Sequence, residues 1–259
     1  MRHGRSPPSG RLPIVRLHST RRRKPSSTRW LSRQLNDAYV AEARRLSYRS
    51  RAAFKLIELD ARFRLLRPGQ RVVDLGCAPG GWTQVAVERV GRRGRVVGID
   101  VAATPPLLGA VLLCGDARDP VTPSALEAAL GGLADIVLSD MAPSTTGHVA
   151  TDHLRIVALA EEALAVASQI LKPGGSFVVK VFQGGAEGAL LAMLKRDFTE
   201  LRHAKPPASR AESAETYVVA TGFRGDRQAP GSAASFSQER PVYSAPPSER
   251  RRRWRSGKR

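Results

Sequence analysis

The chain contains few of the residues that hold metals. Cys77 and Cys114 are its only cysteines among 259 residues, and no Cys-x-x-C pair or Cys/His cluster occurs. Zinc sites are built from several such ligands at close spacing, so we expect no metal. Both cysteines are interpreted as small buried side chains near strand ends. His148 and His153 also lack metal-ligand spacing, and we interpret them as loop residues.

Long apolar runs are absent as well. No stretch is long enough to span a bilayer, and no apolar core of a signal peptide occurs. We therefore expect no membrane association and a cytoplasmic protein. A hydrophobic content of 42% in 259 residues suffices for one sizeable core. This predicts one folded domain with tails, which we expect to be monomeric.

Acidic residues are scarce at both ends of a chain whose net charge is +19. Residues 1–45 carry 12 Lys and Arg side chains and two acids, and residues 225–259 carry nine and three. Because the ends are too polar to bury a core, we predict a basic disordered arm at 1–31, a folded domain at 32–224 and a basic disordered tail at 225–259. Such clusters release counterions from phosphates, which indicates a polyanionic partner such as RNA.

Each basic end has an alternative interpretation. The Arg, Ser and Pro content of the N-terminal arm also suits an organellar transit peptide, but no cleavage signature or clear amphipathic helix is present, and an RNA-contacting arm is favoured. The tail ends in Arg250-Arg-Arg-Arg-Trp-Arg255. This segment is suited to stacking on unpaired RNA, and it fits an inert solubilising end equally well.

A glycine-rich turn between a strand and a helix is the most informative stretch. The pattern predicts a short buried strand at Arg71–Leu75, a sharp turn at Gly76–Gly81 and an apolar helix at about Trp82–Val90. Such a turn lets a ligand approach bare backbone beside the free N–H groups of a helix start. The spacing matches neither a dinucleotide fingerprint nor a phosphate-binding loop. A small polar ligand without phosphates is therefore indicated.

Acids at three successive strand ends suggest which ligand this is. Asp74 precedes the glycines, Asp100 closes the second predicted strand at 95–101, and Asp116 closes the third at 110–116. A carboxylate at the tip of strand two suits ribose hydroxyls, and the next acid can accept from an exocyclic amine. An adenosine with an amino-acid tail, S-adenosylmethionine, fits this pattern. We assign Asp74, Gly76, Gly80 and Trp82 to the methionine end, Asp100 to the ribose and Asp116 to the adenine, with Asp140 beside them.

The remaining segments alternate between helical and strand patterns, which predicts an α/β fold with a doubly wound sheet. Helical segments are predicted within Ser32–Leu66, at 123–130, at Asp152–Leu171 and at 187–197; strands are predicted at Ala134–Asp140, Ser176–Phe182, 200–205 and 216–223. The last two strands are expected to close the sheet as an antiparallel hairpin.

Lys180 lies inside the almost continuous apolar run of the fifth predicted strand. A charge in such a position needs a partner or a use. Asp140, at the tip of the neighbouring predicted strand, could be the ion-pair partner of Lys180 or the acid beside which its amine reacts. Lys180 therefore neutralises a buried acid, or it is a reactive amine beside one.

Four motifs together resemble the RrmJ/FtsJ family of ribosomal RNA 2′-O-methyltransferases. They are the stretches Asp74–Trp82, Ser139–Pro143, Gly174–Phe182 and Thr216–Gly222. Their order and spacing match the family from about Ser32 to Phe223. The resemblance implies a Rossmann-like class I S-adenosylmethionine-dependent methyltransferase, with a seven-stranded, mostly parallel sheet, a C-terminal antiparallel hairpin and helices on both faces.

The resemblance also implies a catalytic tetrad of Lys55, Asp140, Lys180 and Glu215. Lys55 matches the first lysine motif, and Glu215 ends an Arg-x-x-Ser-x-Glu pattern. Lys180 is then the candidate base or hydroxyl-orienting group, Asp140 aims its amine, and Glu215 holds Lys55 or the ribose. The protonation state of Lys180 stays open at this point.

The implied substrate is a uridine in the peptidyl-transferase region of large-subunit ribosomal RNA, within an assembled ribosomal particle. Asp140-Met-Ala-Pro143 lacks the aromatic platform common in amino-methyltransferases, which argues for an oxygen target. Arg49 and Arg51, beside the first lysine motif, are expected to meet phosphates.

Overall fold

The computed structural model describes residues 35–144, 146–184 and 188–225. The predicted arm at 1–31 lies outside these residues, as does all of the predicted tail except Gly225. Among the helices in the described ranges, none combines the length and the apolarity needed to cross a membrane.

Helices and strands alternate through the described residues much as the hydrophobic pattern predicts. The helices are α1 (Ala38–Arg45), α2 (Ala52–Phe63), α3 (Gly81–Val90), α4 (Thr122–Leu130), α5 (Val149–Ile170) and α6 (Gly188–Asp197). The strands are β1 (Arg71–Leu75), β2 (Arg95–Asp100), β3 (Ala110–Cys114), β4 (Ala134–Ser139), β5 (Leu171–Phe182), β6 (Phe198–Ala204) and β7 (Glu215–Phe223).

The strands form one seven-stranded sheet in the order β3-β2-β1-β4-β5-β7-β6. Strands β1 to β5 run parallel, whereas β7 is antiparallel to both β5 and β6. This confirms the predicted fold class and its C-terminal antiparallel hairpin. The strand order reverses between β1 and β4, and ligands of such sheets bind in the crevice at the carboxyl ends of the strands beside that reversal.

Helices cover both faces of the sheet, because side chains alternate between the two faces along each strand. On one face, Leu126 of α4 and Ala163 of α5 belong to a buried apolar cluster with the strands. On the other, Leu56 of α2 and Trp82 of α3 belong to a second cluster. The even-numbered positions of β5 share the α2–α3 face, since Val178 packs in that second cluster. Lys180 therefore points toward α2.

Two local predictions were wrong. His153 lies within α5, where its ring packs against Phe182. His148 does lie in the preceding loop, where it is the N-cap of that helix and accepts from the Thr151 backbone N–H. This cap starts the helix earlier than the apolar pattern indicates. Cys114 is exposed rather than buried because β3 is an edge strand with a half-open face.

Candidate active site

The four residues of the expected tetrad meet at the carboxyl edge of the sheet. Lys55 comes from the first turns of α2, Asp140 directly follows β4, Lys180 lies near the end of β5 and Glu215 opens β7. The β5–β7 register sets Lys180 opposite Tyr217 and Phe182 opposite Glu215. Residues two apart on a strand share a face, so Lys180, Glu215 and Tyr217 all project toward α2.

The tetrad side chains form a connected set of ion pairs. Lys55 Nζ lies 2.8 Å from Glu215 Oε1 and 2.9 Å from Oε2, and 3.5 Å from Asp140 Oδ2. Lys180 Nζ lies 3.0 Å from Asp140 Oδ1 and 4.0 Å from Glu215 Oε2. It also donates to the main-chain oxygen of Asp140 at 2.6 Å. The two lysine side chains and the two acidic side chains thus belong to one connected network.

Burial makes this network electrostatically strong. The exposed fraction is 8% for Lys55 and 5% for Lys180. Burial alone would raise the pKa of Asp140, but the nearby ammonium groups of Lys180 and Lys55 outweigh it and hold that pKa below its usual range. Asp140 is therefore a carboxylate at neutral pH, and its charge keeps both amines in place.

Tyr217 is a member of this network that the motif comparison did not single out. It is fully buried, and its hydroxyl donates to Asp140 Oδ1 at 2.6 Å. Burial, with the nearby carboxylates, raises the pKa of Tyr217 well above its usual value, so the hydroxyl stays a donor. Lys55 Nζ lies 5.8 Å from the ring centroid. The signal available in the sequence was the spacing: Tyr217 follows Glu215 by two residues and shares its face of β7.

A cavity of about 740 Å³ opens beside the tetrad at the strand reversal. That volume suits a ligand of nucleoside size. Four of the predicted cofactor residues line it, from the ends of β1, β2, β3 and β4: Gly76, Asp100, Asp116 and Asp140. Met141 and Arg118 complete this side, and α5 closes the other with Arg155, Leu159 and Glu162.

The carboxylates in the cavity are held by their own loops. Asp100 accepts from the backbone N–H groups of Ala78 at 2.9 Å and Ala102 at 2.8 Å. Asp116 accepts from Arg118, and the hydrogen bonds from that guanidinium lower the pKa of Asp116 to about 2. Both side chains are therefore held as acceptors, and the Asp116 carboxylate is ionised at neutral pH. Such acceptors suit the hydroxyl and amine donors of an adenosine and repel phosphates.

Gly76 shapes the wall of this cavity. Its φ of +73° is a left-handed conformation, and a Cβ atom there would lie 2.3 Å from Cγ of Met141. Only glycine lets the end of β1 pass this close to the segment after β4. The fit of an S-adenosyl group therefore rests on bare backbone at Gly76 and carboxylates at Asp100 and Asp116.

The other three predicted cofactor residues lie behind the cavity wall rather than in its lining. Asp74 is fully buried and accepts from the Thr83 hydroxyl at 2.6 Å, and burial raises its pKa to about 7. Gly80, with φ of +106°, is the N-cap of α3. Trp82 Nε1 donates to the main-chain oxygen of Ala52 at 2.8 Å. These residues anchor the glycine turn to α2 and α3.

Arg49 and Arg51, expected to meet phosphates, are engaged within the protein. Arg49 donates to the main-chain oxygens of Pro105 and Pro106 at 2.6 and 2.5 Å. Arg51 donates to that of Ala208 at 2.6 Å and pairs with Asp37 at 3.1 Å. In the described part of the chain, no three His, Cys, Asp or Glu side chains are grouped as a metal site requires.

Known proteins match most of this chain. The model of the FtsJ-like methyltransferase family matches residues 48–223. Ribosomal RNA large subunit methyltransferase E of Paramagnetospirillum magneticum is 63% identical over 219 residues, which cover 83% of this chain and 90% of that protein. The protein of the same name from Rhodospirillum rubrum is 57% identical over 226 residues, 86% of each chain.

A crystal structure assigned to a ribosomal RNA methyltransferase from Plasmodium falciparum superposes with a TM-score of 0.62 at 32% identity. The match covers 69% of this chain and all of the Plasmodium chain. Residues 48–223, which the family model matches, hold the sheet, the cavity and all four residues of the tetrad. The chain belongs to the FtsJ-like methyltransferase family.

Proposed function

We propose that this protein transfers a methyl group from S-adenosylmethionine to a ribose 2′-hydroxyl of ribosomal RNA. The observation that carries the proposal is the tetrad: two buried lysines are paired with two acidic side chains, and one of these, Asp140, also lines a cavity fit for a nucleoside. The relatives named ribosomal RNA large subunit methyltransferase E support the RNA substrate.

The cofactor, when bound, supplies an electrophilic methyl group on a sulfonium. In this proposal Asp100 accepts from the ribose hydroxyls, Asp116 accepts from the adenine amine, and Gly76 and Asp140 border the methionine end. Asp74, Gly80 and Trp82 support the turn from behind. Asp116 is held by Arg118, which also lines the cavity and keeps the Asp116 carboxylate ionised.

Because sulfonium is already an excellent leaving group, the protein mainly has to align the ribose hydroxyl with the methyl group and remove the hydroxyl proton. Lys180 is proposed to hold the ribose hydroxyl and, in its neutral form, to take its proton. Asp140 fixes the Lys180 amine through both its side chain and its main-chain oxygen. Lys55, held by Glu215, supplies positive charge where the hydroxyl oxygen becomes negative.

We further propose, from the family resemblance, that the target is a uridine in the peptidyl-transferase region of large-subunit ribosomal RNA within an assembled particle. An enzyme with this substrate works in the cytoplasm, where the particle is assembled. The predicted basic arm at 1–31 and tail at 225–259 would contact RNA around the target, and the chain would act as a monomer.

Transfer of a labelled methyl group tests the proposal against a role in RNA binding alone. Large ribosomal subunits that lack the modification are incubated with labelled S-adenosylmethionine and the wild type, Lys180→Met or Lys195→Met. Lys195 is an exposed residue of α6 and serves as the matched control. We expect label in the RNA with the wild type and Lys195→Met, and almost none with Lys180→Met. Tight binding without transfer by the wild type would refute the enzymatic function.

A further inference from the structure

Helix α2 carries a polar stripe directed at the loop that leads into β7. Arg51, Lys55 and Glu58 are spaced by four and three residues, so they project from one side of the helix. Lys55 is the tetrad lysine, whereas Arg51 and Glu58 have no role in the proposed chemistry. Their partners lie in residues 205–214, here called the β6–β7 loop.

Arg51 and Glu58 form hydrogen bonds to the backbone of a single residue of that loop. Glu58 Oε2 accepts from the Ala208 N–H at 2.7 Å, and Arg51 donates to the Ala208 carbonyl oxygen at 2.6 Å. Glu58 is itself fixed by the Tyr39 hydroxyl, which donates to its other oxygen at 2.9 Å. The loop backbone at Ala208 is therefore tied to the helix that carries Lys55.

Ser209 follows this fixed residue and turns toward the tetrad. It is 5% exposed, and its hydroxyl donates to Oε1 of Glu215 at 2.7 Å. The same carboxylate receives Lys55 on both of its oxygens. The contacts therefore lead from α2 to the β6–β7 loop and back to α2. Residues of the helix bind Ala208, the next loop residue Ser209 binds Glu215, and Glu215 binds Lys55 of the same helix.

We propose that Ser209 is a positioning residue, which fixes the Glu215 carboxylate and through it the Lys55 amine. A terminal carboxylate torsion is broad, and Lys55 is itself a flexible side chain, so the hydrogen bond from Ser209 is the contact that fixes the rotation of the Glu215 carboxylate relative to the loop. Lys55 lies 3.5 Å from Asp140 Oδ2 and would follow the carboxylate that binds it more closely. The expected effect of Ser209 on the reaction rate rests on the proposed methyl transfer. Its effect on the positions of Glu215 and Lys55 does not depend on that function.

The expected effect is on the rate of transfer rather than on binding. Ser209 is not one of the residues that line the cavity, and its hydroxyl donates to Glu215, so we expect its loss to leave the cofactor site intact. Misplacement of a reacting group by about 1 Å costs up to roughly 100-fold in rate. We therefore expect Ser209→Ala to lower kcat by roughly 10- to 100-fold with unchanged KM for RNA and unchanged cofactor affinity.

The experiment compares Ser209→Ala, Ser209→Thr and Ser168→Ala. Thr keeps the hydroxyl and is expected to restore most of the rate. Ser168 donates to the Leu164 carbonyl oxygen within α5, far along the helix from the cavity-lining residues, so Ser168→Ala controls for loss of a hydroxyl. Thermal melting shows that each variant folds. Single-turnover rates, KM and calorimetric cofactor affinity are then measured for each.

Wild-type kcat in a folded Ser209→Ala protein would overturn the proposal, as would an equal loss in Ser209→Thr. Crystal structures of the wild type and Ser209→Ala provide a readout without turnover. We expect the Glu215 carboxylate and Lys55 Nζ to shift in the variant, and unchanged positions would also overturn the proposal. Absence of wild-type transfer to ribosomal RNA would refute the proposed function alone, since the crystallographic comparison still decides the role of Ser209.

Discussion

Lys180 is the side chain on which the proposed transfer depends most. A structural lysine would only neutralise Asp140, and its loss would leave this buried acid with the longer Lys55 pair and the Tyr217 hydroxyl alone, which would chiefly lower stability. A catalytic lysine predicts a different result. We expect Lys180→Met to fold and bind cofactor but to lose about 10²- to 10⁴-fold in the transfer step.

Single-turnover assays across pH on the wild type, Lys180→Met and Lys180→Arg measure this difference. The wild-type rate is expected to rise with pH until the amine is neutral, and Lys180→Arg is expected to lack that rise because a guanidinium stays charged. A folded Lys180→Met protein with near wild-type transfer would make Lys180 structural and leave Asp140 as the partner of the hydroxyl.

Asp74 gives the stability of the free protein a pH dependence of defined sign. Its pKa in the folded state is raised to about 7 by burial, against about 4 in an unfolded chain. Below pH about 4 the group is protonated in both states. Between about 4 and 7 the unfolded chain ionises first, so rising pH favours unfolding by on the order of 3–4 kcal/mol from this residue.

Asp74→Asn removes that titration while keeping an acceptor for Thr83. Urea unfolding of both proteins without cofactor measures the difference in their free energies of unfolding. Other groups cancel in this difference, which is expected to move in favour of Asp74→Asn from pH 4 to pH 7 and then to level off. A difference independent of pH would show that Asp74 is ionised in the folded protein.

At the scale of elements, the turn between β1 and α3 combines two separate constraints at Gly76. Its positive φ disfavours any side chain, and a Cβ would also meet Met141. Gly69, in the turn before β1, has a similar φ of +86° but no atom within 4 Å of an added Cβ. The two glycines therefore separate backbone strain from steric contact.

Gly69→Ala is expected to lower the free energy of unfolding by about 1 kcal/mol through backbone strain alone. Gly76→Ala is expected to cost about 1–3 kcal/mol more, because Met141 and the segment after β4 must move. Chemical denaturation of both variants measures the costs. Equal losses in the free energy of unfolding for the two variants would mean that Met141 and the segment after β4 move to admit a side chain at Gly76 without an energetic cost.

The sequence could predict the elements whose signal is local. Alternation of apolar runs with Gly and Pro marks β1, β2, β4 and β5, and a lysine in an apolar strand marks Lys180 without any structure. Asp100, the last residue of β2, and Asp140, directly after β4, line the cavity. These predictions rest on the spacing of apolar residues along the chain and on the residues that form turns. Both are visible in a single short stretch of sequence.

Contacts between distant elements could not be predicted in the same way. Asp74 was placed at the ligand from its position near the end of β1, but its side chain is buried behind the wall with Thr83. Arg49 and Arg51 have the charge for phosphate, but their guanidinium groups bind main-chain oxygens of loops far away in the chain. Side-chain direction and long-range pairing decide these roles, and neither has a periodic signature.

At the scale of the whole molecule, positive charge is concentrated at the two ends while the tetrad lies within the central domain. Removing residues 1–30 and 230–259 deletes many Lys and Arg side chains and none of the tetrad. We expect weaker RNA binding with a shallower salt dependence, by about 0.7–0.9 in log–log slope per lost phosphate contact, and unchanged turnover at saturating RNA. Binding measured at several salt concentrations tests this.

Trp254→Ala in the full chain separates stacking by the tail from its charge, since the flanking arginines remain. Unchanged affinity and an unchanged salt slope in the shortened protein would instead favour inert ends. Loss of turnover at saturating RNA would give the ends a part in the chemistry.

Methylation of a ribose in large-subunit ribosomal RNA by the buried tetrad can be tested in cells. The 2′-O-methyl positions in ribosomal RNA are mapped in cells with this protein, in cells without it and in cells that carry only Lys180→Met. We expect one uridine site in the peptidyl-transferase region to be lost without the protein, restored by the wild type and not restored by Lys180→Met. An unchanged ribosomal RNA map, or loss of a site only in transfer RNA, would contradict the account.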